Sequence, residues 1–213
     1  MVESIYKRPE GEAEIRALYE EALAGLGLGY ESLTIRTRLG DIHVLTLGPE
    51  GAPPIVFLPG ANALNPTCLK WFLPLAERHR LHAPDIVGQP GFSAQTRPSP
   101  KGDGHAFWAG DVLDGLGLKR APLVGLSYGA AVAIRTMGVA PERVSKAALV
   151  SPAGIAASPF LRMFFEIGPP RSSTASVPPR RVSSVRPCPC SRSPKIPSSS
   201  PPYGSSAGRY PTS

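Results

Sequence analysis

Leu123-Val124-Gly125-Leu126-Ser127-Tyr128-Gly129-Ala130 decides how this 213-residue chain is read. The residues before it, from Ala121, form a short continuous apolar run, the pattern of a strand buried on both faces. The residues after it, through Val139, carry the small and apolar side chains of a helix. Between them Gly125-Leu126-Ser127-Tyr128-Gly129 is a G-x-S-x-G motif, with serine at a sharp strand-to-helix turn. The two glycines answer a steric demand, because a side chain two positions either side of the serine would strike the adjoining strand and helix. The hydroxyl then stands at a helix N-terminus, where the dipole favours negative charge. The pentapeptide alone is weak, and a serine capping a helix is the plain alternative. The strand–turn–helix context favours Ser127 as a nucleophile.

The segments on either side share one rhythm. Residues 10–26 repeat Ile15, Leu18, Tyr19, Ala22, Leu23 and Leu26 at helical spacing, and Gly25, Gly27 and Gly29 end the run. Strands are expected at 31–38 and 41–48, with the turn at Gly40-Asp41. Residues 54–58, 80–84, 121–126 and 144–151 read as further strands. Helices are expected at 66–78, 104–117 and 128–139. This alternation predicts an α/β fold with a mostly parallel sheet covered on both sides. The organisation read from the sequence is an N-terminal helical segment over 1–30, a core over 31–167 and a tail over 168–213.

The loop after strand 54–58, Pro59-Gly60-Ala61-Asn62, supplies a second element of chemistry. Hydrolysis through a tetrahedral intermediate needs preorganised N–H donors for the oxyanion. The backbone amides of Tyr128, beside the serine, and of Ala61, in this loop, are the candidates. An ordinary strand-to-helix loop is the alternative.

Several stretches together resemble the α/β-hydrolase fold family. They are Pro54-Ile55-Val56-Phe57-Leu58-Pro59-Gly60, Ala83-Pro84-Asp85-Ile86-Val87-Gly88-Gln89-Pro90-Gly91-Phe92-Ser93, Leu123 to Ala130, Ala140-Pro141-Glu142-Arg143-Val144 and Leu149-Val150-Ser151-Pro152. They stand in the family's order and cover residues 10–160. The N-terminal helix and the Asp85–Gly91 segment look most like a bacterial carboxylesterase branch. Pro59 departs from the histidine that many members carry there. The resemblance implies a Ser–acid–His serine hydrolase acting on a small-molecule ester through an acyl-Ser127 intermediate, without a cofactor. It also implies that acid and histidine follow the serine. Here no histidine follows His105, and no Asp or Glu follows Glu166. His43 is read as lying on an early edge strand, His79 and His82 as flanking strand 80–84, and His105 as opening a helix. None is expected to be the base, and Asp85 is expected to shape a loop. The chain is therefore expected to be inactive as it stands, its final strands, cap, acid and histidine absent; a non-catalytic product is the alternative. Strand 144–151 would then be an apolar, association-prone edge.

Composition narrows the partners. The net charge is +7, yet residues 1–167 hold 16 Lys and Arg against 16 Asp and Glu, so they sum to zero. The excess lies in 168–213, where 13 Ser and 11 Pro accompany 7 Lys and Arg. Such a segment cannot bury enough apolar surface to order itself. Its abrupt onset and its Arg, Pro, Ser, Gly, Ala and Cys content match a GC-rich gene read out of frame; a natural Ser/Pro/Arg tail is the other reading. Seven cations without interleaved aromatics do not make a nucleic-acid site. Cys188 and Cys190, one residue apart, lack the further ligands of a zinc site, so no metal is expected. Cys68 stands alone among residues 1–167, so no disulfide framework is implied. With no signal-like N-terminus and no long apolar stretch, no membrane association and a cytoplasmic location are expected. The oligomeric state is not readable.

Overall fold

The computed structural model describes residues 4–99 and 102–154. The expectations for the tail, for Cys188 and Cys190, and for the apolar stretch 159–167 lie outside the described residues.

Helix α1 (Pro9–Ala24) opens with proline and places Glu10 and Glu12 in its first turn, both suited to a helix N-terminus. It buries Tyr19 and Leu23. Strands β1 (Tyr30–Thr37) and β2 (Gly40–Leu47) form an antiparallel hairpin with Thr37 opposite Gly40. The turn is therefore Arg38-Leu39, two residues before the expected Gly40-Asp41. Side chains fix it there. Thr37 Oγ1 donates to the Gly40 carbonyl at 2.7 Å and accepts from the Leu39 N–H at 3.3 Å. Arg38 holds both oxygens of Asp111, at 2.8 and 2.7 Å.

Strand β3 (Pro54–Leu58) leads to α2 (Asn65–Leu69) and then to a 3₁₀ segment, Lys70–Glu77. One α-helix over 66–78 was expected. Pro74 lies within the segment and has no N–H to continue an α-helix, and its ring would collide with the carbonyl four residues back. The chain winds more tightly instead. Strand β4 (Arg80–Pro84), α3 (Gly104–Gly115), β5 (Ala121–Leu126), α4 (Tyr128–Val139) and β6 (Val144–Val150) follow. A short 3₁₀ turn at Pro141–Arg143 precedes β6.

Among the described residues the sheet has six strands in the order β1-β2-β4-β3-β5-β6. β4, β3, β5 and β6 run parallel, and the β1–β2 hairpin joins antiparallel through β4. The fold is thus α/β with a mostly parallel sheet. One face packs Ile42, Val44, Val56 and Leu58 against Trp108, Leu113 and Val132 of α3 and α4. The other packs Leu45, Leu47, Phe57 and Leu81 beneath Tyr19, Leu23 and Leu69 of α1 and α2. Each fully buried side chain of this size contributes about 1.5–3 kcal/mol against exposure. β3 pairs with β4 on one side and β5 on the other, so the connections leave it in opposite directions. In such sheets the crevice beyond the strands' carboxyl ends at this reversal is where ligands bind. The loops following β3 and β5 both open into it.

Candidate active site

Ser127 links β5 to α4 with φ 51° and ψ −107°, left-handed backbone that a non-glycine residue holds only under external constraint. The constraint can be named. The Ser127 N–H donates to Val150 O at 2.9 Å, and the Ser127 carbonyl accepts from Ala131 and Ala153 at 3.2 and 3.1 Å. A Cβ on Gly125 would lie 2.5 Å from Ala130 Cα. On Gly129 it would lie 2.1 Å from the Leu58 carbonyl oxygen and 2.6 Å from that of Pro59. Side chains at either glycine would push α4 away from β5 or β3. Ser127 itself is half-buried.

The loop after β3 comes against the same turn. A Cβ on Gly60 would lie 3.8 Å from Ser127 Cβ, ordinary contact distance. Ala61 and Asn62 follow and are exposed. Asn62 has φ 53°, and its N–H donates to Gln89 Oε1 at 2.9 Å. Gln89, from the loop after β4, therefore fixes the curvature of this loop. Tyr128 is the first residue of α4, where N–H groups have no partner within the helix. Cys68 lies beneath the loop. Burial pushes its thiol above the ordinary range, opposed by the Gly60 N–H directed at it.

The four histidines occupy distinct environments. His105 Nε2 meets the Tyr128 hydroxyl at 2.9 Å, so this histidine engages the tyrosine side chain. Burial pulls the His105 imidazole below its usual range. Burial also pushes the Tyr128 phenol up, opposed by the charge of Arg97. His82 lies within β4 rather than beside it, 3.0 Å from Thr46 Oγ1; burial, then the charge of Arg80, lowers its basicity. His79 Nδ1 is 3.2 Å from Leu75 O. His43 is on β2, an inner strand between β1 and β4, not an edge as its sequence position suggested. β1, its hairpin partner, supplies the edge instead.

Asp85 is buried and closes the loop from 85 to 93. Its carboxylate accepts from the Tyr19 hydroxyl at 2.7 Å and from the Phe92 N–H at 2.9 Å. Gly91, at φ 153°, leaves no room for a Cβ, which would lie 2.5 Å from Asp85 Oδ2. Burial, then the charge of Asp85, holds the Tyr19 phenol protonated far beyond its normal range. Among the described residues no group of three or more His, Cys, Asp or Glu is placed to hold a metal ion, and no helix is long and apolar enough to cross a membrane. The contacts of Gln89 with Asn62, His105 with Tyr128 and Tyr19 with Asp85 were not expected from the sequence, whereas Asp85 was expected to shape its loop and does so.

Comparison with known proteins agrees with this architecture. The profile described as "Alpha/beta hydrolase family" matches residues 55–207. The chain is 36% identical over 138 residues to an uncharacterized carboxylesterase, nap, of Bacillus subtilis, covering 63% of this chain and 45% of that protein. It is 32% identical over 139 residues to the carboxylesterase YbfK of the same organism, covering 63% and 46%. The crystal structure of carboxylesterase CesB (YbfK) superimposes with a TM-score of 0.63 at 29% identity, covering 68% of this chain and 50% of that one. The chain thus spans about half the length of the curated relatives it matches, at 45% and 46%.

Proposed function

The chain belongs to the alpha/beta hydrolase family, and from that membership we propose that it carries the nucleophile half of a serine hydrolase acting on small-molecule carboxylic esters. Ser127 is the nucleophile, and the amides of Ala61 and Tyr128 hold the oxyanion. The observation that carries the reading is the strained Ser127 backbone at the β5–α4 turn, packed against Gly60 at the point where the sheet connections reverse. Backbone strain of this kind persists where the surroundings enforce it, and it collects at active sites. The carboxylesterase names of the two Bacillus proteins support the ester class.

In the mechanism Ser127 Oγ attacks the ester carbonyl. The charge that develops on the carbonyl oxygen meets the two amides, and the alcohol leaves as the acyl-Ser127 ester forms; water then releases the acid. A proton must leave Ser127 and reach the departing alcohol, which requires a positioned base, in this family a histidine. All four histidines precede Ser127, and His105 engages the Tyr128 hydroxyl. A serine hydroxyl without a positioned base is a poor nucleophile. Through Ser127 the 213 residues are therefore proposed to turn over esters negligibly, since the family places its acid and base after the serine. The competing reading, a non-catalytic product, draws on the same absence of a following histidine.

One comparison separates the two. Residues 155–213 are exchanged for the corresponding downstream half of Bacillus subtilis YbfK, and p-nitrophenyl butyrate hydrolysis is followed for the chimera and its Ser127→Ala variant. Turnover in the chimera that Ser127→Ala abolishes supports the nucleophile assignment. A folded chimera with no Ser127-dependent turnover overturns it. Turnover by the original chain that Ser127→Ala abolishes overturns the proposed inactivity. Reading the encoding DNA through codon 167 in all three frames would establish whether a cap, an acid and a late histidine are encoded there.

A further inference from the structure

We propose that Ser32 is a second, base-activated nucleophile, independent of Ser127, and that it takes acyl groups from small neutral aryl esters. Its neighbours form a relay. Ser32 Oγ lies 3.0 Å from His43 Nε2. His43 Nδ1 lies 3.4 Å from Asp85 Oδ2, and the Asp85 side chain is 1% exposed. A hydroxyl within hydrogen-bond reach of an imidazole that a third group orients is the arrangement that activates serine.

The tautomer follows from the partners of Nδ1. Asp85 can only accept there. The Tyr19 hydroxyl, 3.3 Å from Nδ1, already donates its proton to Asp85 Oδ1 at 2.7 Å, so it too offers an oxygen lone pair. Both neighbours draw the imidazole proton to Nδ1, leaving the Nε2 lone pair facing Ser32. The ring is held in place by edge contacts with Phe92 and Tyr19, at centroid distances of 5.4 and 5.8 Å. Its backbone is fixed on both sides, because the His43 N–H donates to Ser93 Oγ and the His43 carbonyl accepts from the Asp85 N–H, each at 2.9 Å. Only the hydroxyl end is open to solvent, since Ser32 is exposed on β1.

Ser32 and His43 line an open groove of about 500 Å³, a volume within the usual range of small-molecule sites. Leu23, Tyr30 and Phe92 give it an apolar, partly aromatic lining for an aryl group, and Glu20 and Asp41 disfavour an anionic one. In the reaction Ser32 Oγ bonds to the ester carbonyl carbon while its proton passes to His43 Nε2. The bond from that carbon to the aryl oxygen breaks, and the proton leaves with the phenol. Water later cleaves acyl-Ser32 to the carboxylic acid and regenerates the hydroxyl.

The test incubates the full chain with p-nitrophenyl acetate and locates acetyl groups by tandem mass spectrometry of tryptic peptides, in wild type, Ser127→Ala, Ser32→Ala and His43→Gln. A general base contributes about 10²–10⁴-fold, so Ser32 is expected to acetylate at least about 10²-fold faster than exposed Ser151 of the same molecule. Ser32 should still be labelled in Ser127→Ala, and His43→Gln should reduce its rate to the level of Ser151. Ser32 labelled no faster than Ser151 overturns the proposal, even if His43→Gln does not fold; so does an undiminished rate in folded His43→Gln. Because Ser127 acetylation is read from a different peptide, failure at either serine leaves the other result standing.

Discussion

Ser127 illustrates how a residue proposed as a nucleophile can be costly to the fold. Left-handed or sparsely populated backbone at a non-glycine residue costs on the order of 1–3 kcal/mol. Glycine adopts it freely, though it adds entropy to the unfolded chain. Ser127→Gly is therefore expected to stabilise by about 1 kcal/mol net, a rise in Tm of about 2–4 °C for a chain of this size, whereas Ser127→Ala keeps the strain and gains little. Equal melting temperatures for the two variants would remove the strain argument. The neighbouring glycines are separated by the space around them. Gly129→Ala forces a Cβ to within 2.1 Å of the Leu58 carbonyl, backbone against backbone, and should cost about 3 kcal/mol in denaturant unfolding. Gly138→Ala, on the same helix with nothing within 4 Å, should instead stabilise by up to about 1 kcal/mol. This part of the site was legible in the sequence because the constraint is local: Gly125, Ser127 and Gly129 lie within five residues. Gln89 was not legible. It reaches an amide 27 positions away, and nothing in its own surroundings distinguishes a glutamine that binds a loop from one that faces water.

At the scale of elements, apolar continuity was the reliable signal. β3, β4, β5 and α4 occupy the residues that the pattern assigned to them; β3 and β5 carry no polar side chain to blur their limits. Where polar side chains or proline set the geometry, the pattern failed. Thr37 and Arg38 moved the hairpin turn, and Pro74 changed a helix into a 3₁₀ segment. The attachment of α1 was equally hidden, since it depends on Tyr19 meeting Asp85 across 66 residues. That contact is a buried polar link between α1 and the loop after β4, beside the Gln95–Glu12 hydrogen bond nearer the surface. Tyr19→Phe keeps the ring's packing but leaves a buried carboxylate without one donor, a loss of about 1–3 kcal/mol. Urea unfolding should show this as a lower midpoint with an unchanged slope. A midpoint equal to wild type would mean that water or Asn65 takes over the donor's place.

Across the whole molecule, pH dependence and sheet edges are the two properties set by no single element. His82 and His105 both titrate below the ordinary 6.5 in the folded chain, chiefly through burial. The unfolded chain then takes up protons near 6.5 that the folded one resists, so stability is full above that pH and falls as pH drops from 6.5 towards the folded values. The Arg38 hydrogen bond holds Asp111 below 3.8, so its contribution is lost only at more acid pH. His105→Gln should flatten the upper part of this decline in thermal melts between pH 7 and 5; an unchanged slope would place the effect elsewhere.

The sheet has a related asymmetry. β1 closes one end with Tyr30, Glu31 and Arg36 among its side chains, and Arg80 pairs with Glu31 there. β6 lies at the other end among the described residues, with Lys146, Ala147, Ala148 and Val150 exposed. Its row of outward N–H and C=O groups is guarded by one charge, and a long apolar edge of this kind templates pairing with a second copy. The 213-residue protein is accordingly expected to self-associate with rising concentration, visible as a shift to larger species in sedimentation velocity. Ala148→Lys adds a second charge on the exposed strand and should reduce the association, while a lysine at exposed Glu50, in the loop between β2 and β3, should not. Association insensitive to Ala148→Lys would assign the contact to another surface; a monomer at every concentration would mean that β6 is already covered.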